Sequence, residues 1–261
     1  MRLKGQVALV TGGGTGIGRG ISLAFAREGG LVAVNYSKSH DKAEDTVRQI
    51  RAAGGQAIAL QADVSKEAEA RRLVADVVRE WGRFDILVNN AGWTRRVPHS
   101  DLEGLTDEIW QRTFTVNVLG AWYCCRHAIP QMQRQGRGCI INVTSVAAFH
   151  GKGSSMAYAA SKAALTSLTR SLARAFGPTI RVNALAPGMV ETGFVEWPPG
   201  EYDAARREVA TPDIPTVEDL GEAALYLAAD ARATTGTTLF VDGGVVPLGP
   251  RGTRPSVQPK Q

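Results

Sequence analysis

Cysteine and histidine are scarce in this chain, which has 261 residues but only three cysteines and four histidines. The cysteines are Cys124, Cys125 and Cys139. Two are adjacent and none has the spacing of metal ligands, so we expect buried thiols in a reducing compartment. The histidines are His40, His99, His127 and His150. We expect them to be structural or at the surface, with a pocket position for His150 as the less favoured alternative. No metal site is predicted.

Long apolar runs are also absent. None approaches the roughly 20 residues that a helix needs to cross a bilayer, and the first six residues lead into a predicted strand without a secretory signal. We therefore expect a cytoplasmic protein with no membrane partner. Of the net charge of +5, three positive charges lie in residues 248–261, a tail that we expect to be disordered. The remaining excess forms no basic stripe, so no nucleic-acid partner is expected.

Short apolar segments alternate with amphipathic ones along the chain. The predicted strands are 7–11, 31–36, 57–61, 86–89, 139–143, 180–185 and 238–241. The predicted helices are 18–28, 41–53, 66–81, a long region from about 108 to 135, 156–176 and 218–229. Ser65 is the expected N-cap of the third helix, and glycines at 54, 55 and 82 are expected stops. The alternation predicts one α/β domain, 1–247, with a Rossmann-type, doubly wound, mostly parallel seven-stranded sheet and helices on both faces.

The longest stretch without a clear pattern is 193–216, which contains Trp197-Pro198-Pro199-Gly200. We expect a loop there with a short helix near 203–209. Loops of this length in compact domains are usually lids, binding segments or disordered.

Three side chains point to acid–base chemistry. Tyr158 and Lys162 are four residues apart, so on a helix they lie on one face, one turn apart. An ammonium beside a phenol favours the phenolate, so we expect a lowered pKa for Tyr158 and a role as general acid or base. Ser145 follows the apolar run 139–143, where its hydroxyl can bond a carbonyl oxygen in the crevice at the strand ends.

A glycine cluster lies between the first strand and the first helix. Gly12, Gly16 and Gly18 allow the backbone to approach a phosphate at a helix N-terminus. The spacing is not the GxGxxG fingerprint, because position 19 is Arg and position 21 is Ile. A plain glycine turn is the alternative interpretation when the cluster is taken alone.

Seven stretches together resemble one family, the single-domain short-chain dehydrogenases/reductases, and in particular their 3-oxoacyl-carrier-protein reductase-like members. The matching stretches are Thr11–Gly18 with its TGxxxGxG pattern, Asn89-Asn90-Ala91-Gly92, Asn117, Ser145, Tyr158-x3-Lys162, Pro187-Gly188 and Val241-Asp242-Gly243-Gly244. The resemblance implies an oxidoreductase that moves hydride between a nicotinamide and a carbonyl or alcohol. It implies Tyr158 as general acid/base, Lys162 lowering its pKa and bonding the nicotinamide ribose, Ser145 stabilising the oxygen, and Asn117 holding a water that links Lys162 to solvent.

The same resemblance implies a cofactor site. Its expected residues are Gly12, Thr15, Gly16, Ile17, Gly18, Tyr36, Ser37, Lys38, Asp63, Val64, Asn90, Ala91, Gly92, Tyr158, Lys162, Pro187, Gly188, Val190 and Thr192. NAD sites usually carry an acid at the end of the second strand. Here no acid precedes Asp41, and Ser37 and Lys38 could meet a 2′-phosphate, so we predict a preference for NADP(H). Thr15 stands where some NADP-binding relatives have a basic residue, so NAD(H) or dual use stays open.

The substrate is left open by the sequence. The expected pocket residues are Trp93, Arg95, Phe149, Gly151, Ser155, Met189, Phe194 and Trp197. Arg95 and Arg96 could meet a carboxylate or phosphate, although a solvated loop is the favoured interpretation. Carrier or coenzyme A thioesters, steroid-like ketones, sugars and small polyketide ketones all remain, as does a NAD-dependent alcohol or sugar dehydrogenase.

Two further expectations concern role and assembly. A non-catalytic, NADP(H)-sensing or scaffold protein of the same fold is the alternative from a different class. The helix around Trp122, Tyr123, Cys124 and Cys125 and the helix after Tyr158 carry more apolar surface than one sheet face would use. We therefore expect a homodimer or homotetramer, as in relatives.

Overall fold

A parallel seven-stranded sheet forms the centre of the computed structural model, which describes residues 1–249. The strands are β1 (Val7–Val10), β2 (Leu31–Tyr36), β3 (Gln56–Gln61), β4 (Ile86–Asn89), β5 (Gly138–Val143), β6 (Ile180–Pro187) and β7 (Thr238–Val241). Their order in the sheet is β3-β2-β1-β4-β5-β6-β7, and each neighbouring pair is parallel. The predicted Rossmann-type sheet is confirmed.

Helices cover both faces of the sheet. They are α1 (Gly16–Arg27), α2 (His40–Ala52), α3 (Glu67–Trp81), α4 (Asp107–Phe114), α5 (Gly120–Arg134), α6 (Ala147–His150), α7 (Met156–Phe176), α8 (Glu201–Glu208), α9 (Val217–Leu225) and α10 (Val245–Leu248). Side chains of β1 alternate between two hydrophobic cores: Val10 packs with α1, α2 and α9, whereas Leu9 packs with α3 and α5. Burial on both faces explains why the central strands are continuously apolar.

The long helical region predicted from about 108 to 135 is confirmed, but the type of helix changes within it. A π-helical segment, Thr115–Leu119, separates α4 from α5, and a second one, Tyr226–Asp230, follows α9. The predicted N-cap of α3 is wrong: Lys66 occupies that position, and the Ser65 hydroxyl instead donates to the Asp63 carboxylate at 2.6 Å. Gly82 ends α3 in the left-handed conformation, as predicted.

Part of the surface assigned to subunit association belongs to the interior of the chain. Cys124 and Cys125 are completely buried in the core beside α3, because they lie on the sheet-facing side of α5. Trp122, on the same helix, is 37% exposed. Within residues 1–249 no helix is long and apolar enough to cross a membrane. Most of the tail predicted to be disordered, residues 250–261, lies outside the described residues.

The sheet order places the site. The crossover from β1 leads outward to β2 and β3, and the chain then returns to add β4 on the other side of β1. Where neighbouring crossovers leave in opposite directions, a crevice opens at the carboxyl ends of the strands. The glycine cluster, the residues after β4 and Ser145 all follow those strand ends.

Candidate active site

A cleft of about 1470 Å³ runs along the carboxyl ends of the strands. Most residues that the sequence predicts for the cofactor and for catalysis line it. They are Gly12, Thr15, Gly16, Ile17, Tyr36, Ser37, Lys38, Asp63, Val64, Asn90, Ala91, Gly92, Ser145, Tyr158, Lys162, Pro187, Gly188, Val190 and Thr192. The volume exceeds the range of about 300–1,000 Å³ typical of pockets for one small ligand. It leaves room for a dinucleotide and a substrate together.

The glycine-rich loop at one end of the cleft has a fixed backbone. Gly12 and Gly16 have positive φ values of 61° and 49°. Gly18 does not line the cleft, but a Cβ there would lie 2.2 Å from the Gly12 carbonyl oxygen. Buried Asn35 accepts from the Gly12 N–H at 3.3 Å, and Asn90 donates to the Thr11 carbonyl at 2.8 Å. These contacts fix the position of the loop, which borders the cleft at the N-terminus of α1. Backbone N–H groups at a helix N-terminus favour the binding of a phosphate.

The N-terminal part of α7 carries Tyr158 and Lys162. Ser155 caps the helix by accepting from the Tyr158 N–H at 3.2 Å, and the Ser161 hydroxyl donates to the Tyr158 carbonyl at 2.7 Å. The Lys162 Nζ is buried and donates to the Val143 carbonyl at the end of β5, at 2.8 Å. Ser145, two residues beyond β5, interacts with the Tyr158 side chain by a hydrogen bond. The helix therefore presents the phenol and the ammonium to the same part of the cleft as the serine.

The predicted effect of Lys162 on Tyr158 is wrong for this structure. Burial raises the pKa of Tyr158 to about 12, and only the hydrogen bond with Ser145 acts in the opposite direction. The Lys162 Nζ lies 5.7 Å from the centre of the Tyr158 ring and is bonded to Val143 instead. Burial also lowers the pKa of Lys162 to about 8. The ammonium, which is charged below about pH 8, thus does not offset the desolvation of the phenol in this structure.

Asn117 lies behind the cleft rather than in it. Its Oδ1 accepts from the Trp93 N–H at 2.7 Å, and its Nδ2 donates to the Trp93 carbonyl and to the Ser161 hydroxyl, each at 3.0 Å. Both amide hydrogens are therefore used. The side chain connects the loop after β4 to the helix that carries Tyr158. The predicted water that links Lys162 to solvent stays a prediction.

Half of the residues predicted for the substrate pocket line the cleft: Trp93, Met189, Phe194 and Trp197. The other half do not. Arg95 points to solvent, and its neighbour Arg96 lines the cleft instead. Phe149 packs against Phe240 with ring centres 4.8 Å apart, while Gly151 ends α6 and Ser155 caps α7. These three residues support the pocket wall from behind.

The chain matches a family model described as Enoyl-(Acyl carrier protein) reductase over residues 12–246. It is 42% identical over 246 residues to a Streptomyces violaceoruber protein assigned as ketoacyl reductase 2 of the granaticin polyketide synthase, covering 92% of this chain and 96% of that one. It is 38% identical to a 3-oxoacyl-[acyl-carrier-protein] reductase of Staphylococcus aureus, covering 91% and 97%. The chain belongs to the short-chain dehydrogenase/reductase family. Among solved structures, this short-chain dehydrogenase/reductase is similar to a 7α-hydroxysteroid dehydrogenase complexed with NADH and 7-oxoglycochenodeoxycholic acid. The two superpose with a TM-score of 0.85 and are 33% identical, and the match covers 93% of this chain and 95% of the other.

Several cleft residues of this short-chain dehydrogenase/reductase were not predicted. They include Lys42, Arg112 and Glu208. His150 lines the cleft, which was the less favoured of the two positions expected for it. It ends α6, a one-turn helix that sequence periodicity did not indicate. Arg112 stacks over Trp93, with its Cζ 4.5 Å from the ring centre. Among residues 1–249, no group of three or more potential ligands is arranged to hold a metal ion.

Proposed function

We propose that this protein is an NADPH-dependent ketoreductase that reduces the 3-oxo group of an acyl thioester or a related polyketide ketone. The observation that carries the proposal is the position of Ser145, Tyr158 and Lys162 in one cleft, beside a glycine loop suited to a phosphate. The names of two relatives, a ketoacyl reductase and a 3-oxoacyl reductase, support the substrate class.

A nicotinamide cofactor, when bound, supplies hydride to the carbonyl carbon. Tyr158 donates its phenolic proton to the carbonyl oxygen, which becomes the hydroxyl of the product. The Ser145 hydroxyl bonds the same oxygen and stabilises the charge that develops there. Lys162 keeps a positive charge near the phenolate left behind, which lowers its energy until a proton returns from solvent. In the oxidation direction the same groups act in reverse.

The direct test follows absorbance at 340 nm with NADPH and then NADH, against β-ketothioesters, ketones, quinones and sugars. We expect turnover of β-ketothioesters with NADPH. Turnover of another class alone would replace the proposed substrate. Tight NADPH binding without turnover of any compound would support the sensing or scaffold role instead.

The preference for NADP(H) is proposed to depend on two lysines at the adenosine end. Lys38 follows β2, and Lys42 lies in the first turn of α2. A Cβ at Gly14 would lie 2.7 Å from the Ala43 Cα, so this turn packs against the glycine loop. Both lysines line the cleft, and within residues 1–249 neither forms an ion pair. A 2′-phosphate between them would have two counter-charges.

Replacing Lys38 or Lys42 with Ala should therefore raise the Kd of NADPH by about 10-fold and leave that of NADH unchanged, because only NADPH carries the charged contact. Quenching of tryptophan fluorescence measures both constants. Lys66→Ala, which removes an exposed lysine already paired with Glu69, is the control. Comparable kcat/KM for NADH and NADPH in the unmodified enzyme would contradict the preference.

The pH dependence of reduction should follow Lys162. Tyr158 keeps its proton up to a pKa of about 12, so the acid is present throughout the accessible range. Lys162 has a pKa lowered to about 8, so its charge is present below that pH and lost above it. We expect kcat/KM for reduction to fall about tenfold per pH unit above pH 8. A profile that stays flat to pH 10 would contradict this assignment, and Lys162→Arg should remove the decline while it retains some activity.

We further propose association through α5 and α7. Three large apolar side chains on these helices are exposed: Leu119, just before α5, by 41%, Trp122, on α5, by 37%, and Met156, at the start of α7, by 37%. Large apolar side chains on neighbouring helices favour a symmetric contact. Light scattering decides between this dimer or tetramer and a monomer.

A further inference from the structure

Six cationic side chains line the cleft, and they differ in the contacts that they make within the protein. They are Lys38, Lys42, Arg96, Arg112, Lys152 and Lys162. Arg112 stacks on Trp93, and Lys162 donates to the Val143 carbonyl. Lys38 and Lys42 lie at the adenosine end. Arg96 and Lys152 are left at the opposite end, and within residues 1–249 neither side chain forms an ion pair or a hydrogen bond.

Hydrogen bonds join the loop that carries Arg96 to the loop that carries Lys152. The Val97 N–H donates to the Ser154 carbonyl at 2.8 Å, and the hydroxyls of Thr94 and Ser154 are 2.6 Å apart. Val97 and Ser154 are buried, so the junction between the two loops is anchored while the charged side chains beside it reach solvent. The loop carrying Arg96 therefore runs against the loop carrying Lys152.

This pair lies close to the reacting centre. A Cβ added at Gly153 would be 3.6 Å from Cδ1 of Tyr158, so the backbone next to Lys152 runs close to the Tyr158 ring. Lys152 also donates its N–H to Nδ1 of His150 at 3.1 Å, which leaves Nε2 of a neutral His150 as a donor. Positive and donor groups thus flank one side of the substrate end.

Within residues 1–249, no carboxylate that lines the cleft forms an ion pair with Arg96 or Lys152; the lining carboxylates are Asp63, Glu108, Glu201, Glu208 and Asp242. Asp242 lines the cleft, but its oxygens accept from the Gly244 N–H at 2.8 Å and the Val246 N–H at 2.7 Å. The charge of Glu208, on α8, acts to raise the pKa of His150, and Glu208 makes no ion pair with Lys152. Two unpaired cations on adjoining loops of the cleft lining favour the binding of an anion.

We propose that Arg96 and Lys152 bind an anionic group, a phosphate or a carboxylate, that the substrate carries at a distance from its reacting carbonyl. The guanidinium of Arg96 can bond two oxygens of such a group in a planar fork, and Lys152 adds a point charge. The inference rests on the proposed ketoreductase function and specifies which substrates that function prefers.

Matched pairs of substrates test the proposal. The acetoacetyl thioester of 4′-phosphopantetheine is compared with that of pantetheine, and 5-oxohexanoate with its methyl ester. The unmodified enzyme should show a KM about 10-fold lower for the charged member of at least one pair. In Arg96→Gln/Lys152→Gln the two members should have equal KM, with kcat and the Kd of NADPH unchanged. The pair that shows the effect identifies phosphate or carboxylate.

Arg95→Gln is the matched control, because it removes the same charge one residue away, outside the cleft. Equal KM for both members of both pairs in the unmodified enzyme would overturn the subsite, as would loss of discrimination in Arg95→Gln. If no thioester or keto acid is turned over, the proposed function fails. Calorimetric binding of 4′-phosphopantetheine and pantetheine to the unmodified and doubly substituted proteins then still decides the subsite.

Discussion

Tyr158→Phe should lower kcat for ketone reduction by about 10²–10⁴-fold, the usual contribution of a positioned general acid. The substitution removes one hydroxyl and leaves the ring in place, 6.2 Å from the centre of the Phe194 ring. The Kd of NADPH should stay within about twofold, because the remaining lining of the cofactor end is unchanged. Single-turnover absorbance at 340 nm separates the chemical step from binding.

Tyr202→Phe provides the control for Tyr158→Phe. Tyr202 also lines the cleft, from α8, and loses the same atom without touching Ser145 or Lys162. We expect its kcat to stay close to that of the unmodified enzyme. Near-normal kcat in Tyr158→Phe, or an equal loss in both variants, would refute the role of Tyr158 as the acid.

Gly18→Ala should abolish most cofactor binding and destabilise the fold. The added Cβ would lie 2.2 Å from the Gly12 carbonyl oxygen and 2.5 Å from Asn90 Nδ2, and the carbonyl belongs to backbone that cannot rotate away. Overpacking of this kind costs about 1–3 kcal/mol. For a protein of this size that corresponds to a fall in Tm of about 2–12 °C. We expect the Kd of NADPH to rise at least about 10-fold, because Gly12 shifts.

Gly92→Ala separates this clash from the mere addition of a methyl group. Gly92 has an ordinary negative φ, and its Cβ would meet no atom closer than 3.5 Å. Its Tm should therefore stay within about 1 °C. Thermal melts with and without NADPH compare both variants. An unchanged Tm and Kd in Gly18→Ala would show that the loop tolerates a side chain and that the close approach is not required.

Much of this fold could be predicted because its signals are local. The apolar strands and the 21-residue helix Met156–Phe176 follow from periodicity and from the glycines and caps around them. The π-helical turn at Thr115–Leu119 could not be predicted, since the extra residue that it accommodates leaves the composition of a helix unchanged.

The site was predictable where chemistry depends on spacing and unpredictable where it depends on packing. Tyr158 and Lys162 share a helix face because they are four residues apart. Lys42 lines the cleft where α2 packs against Gly14, and Arg96 rather than Arg95 lines it next to Val97, whose N–H donates to the Ser154 carbonyl. The pKa of Tyr158 likewise depends on burial, which no pair of nearby residues in the sequence encodes.

The strand order has a consequence for how the chain is assembled during synthesis. Strands β1 to β3 can pair once residue 61 has left the ribosome, but the inner edge of β1 stays open until β4 follows. From then on each new strand joins the edge made by the one before it, so the sheet grows in a single direction and in the order of translation. The growing edge belongs to the newest strand, while β3 stays at the other edge. Each strand from β4 to β6 is therefore unpaired on one side only until the next strand follows, which limits the time available for pairing with another nascent chain.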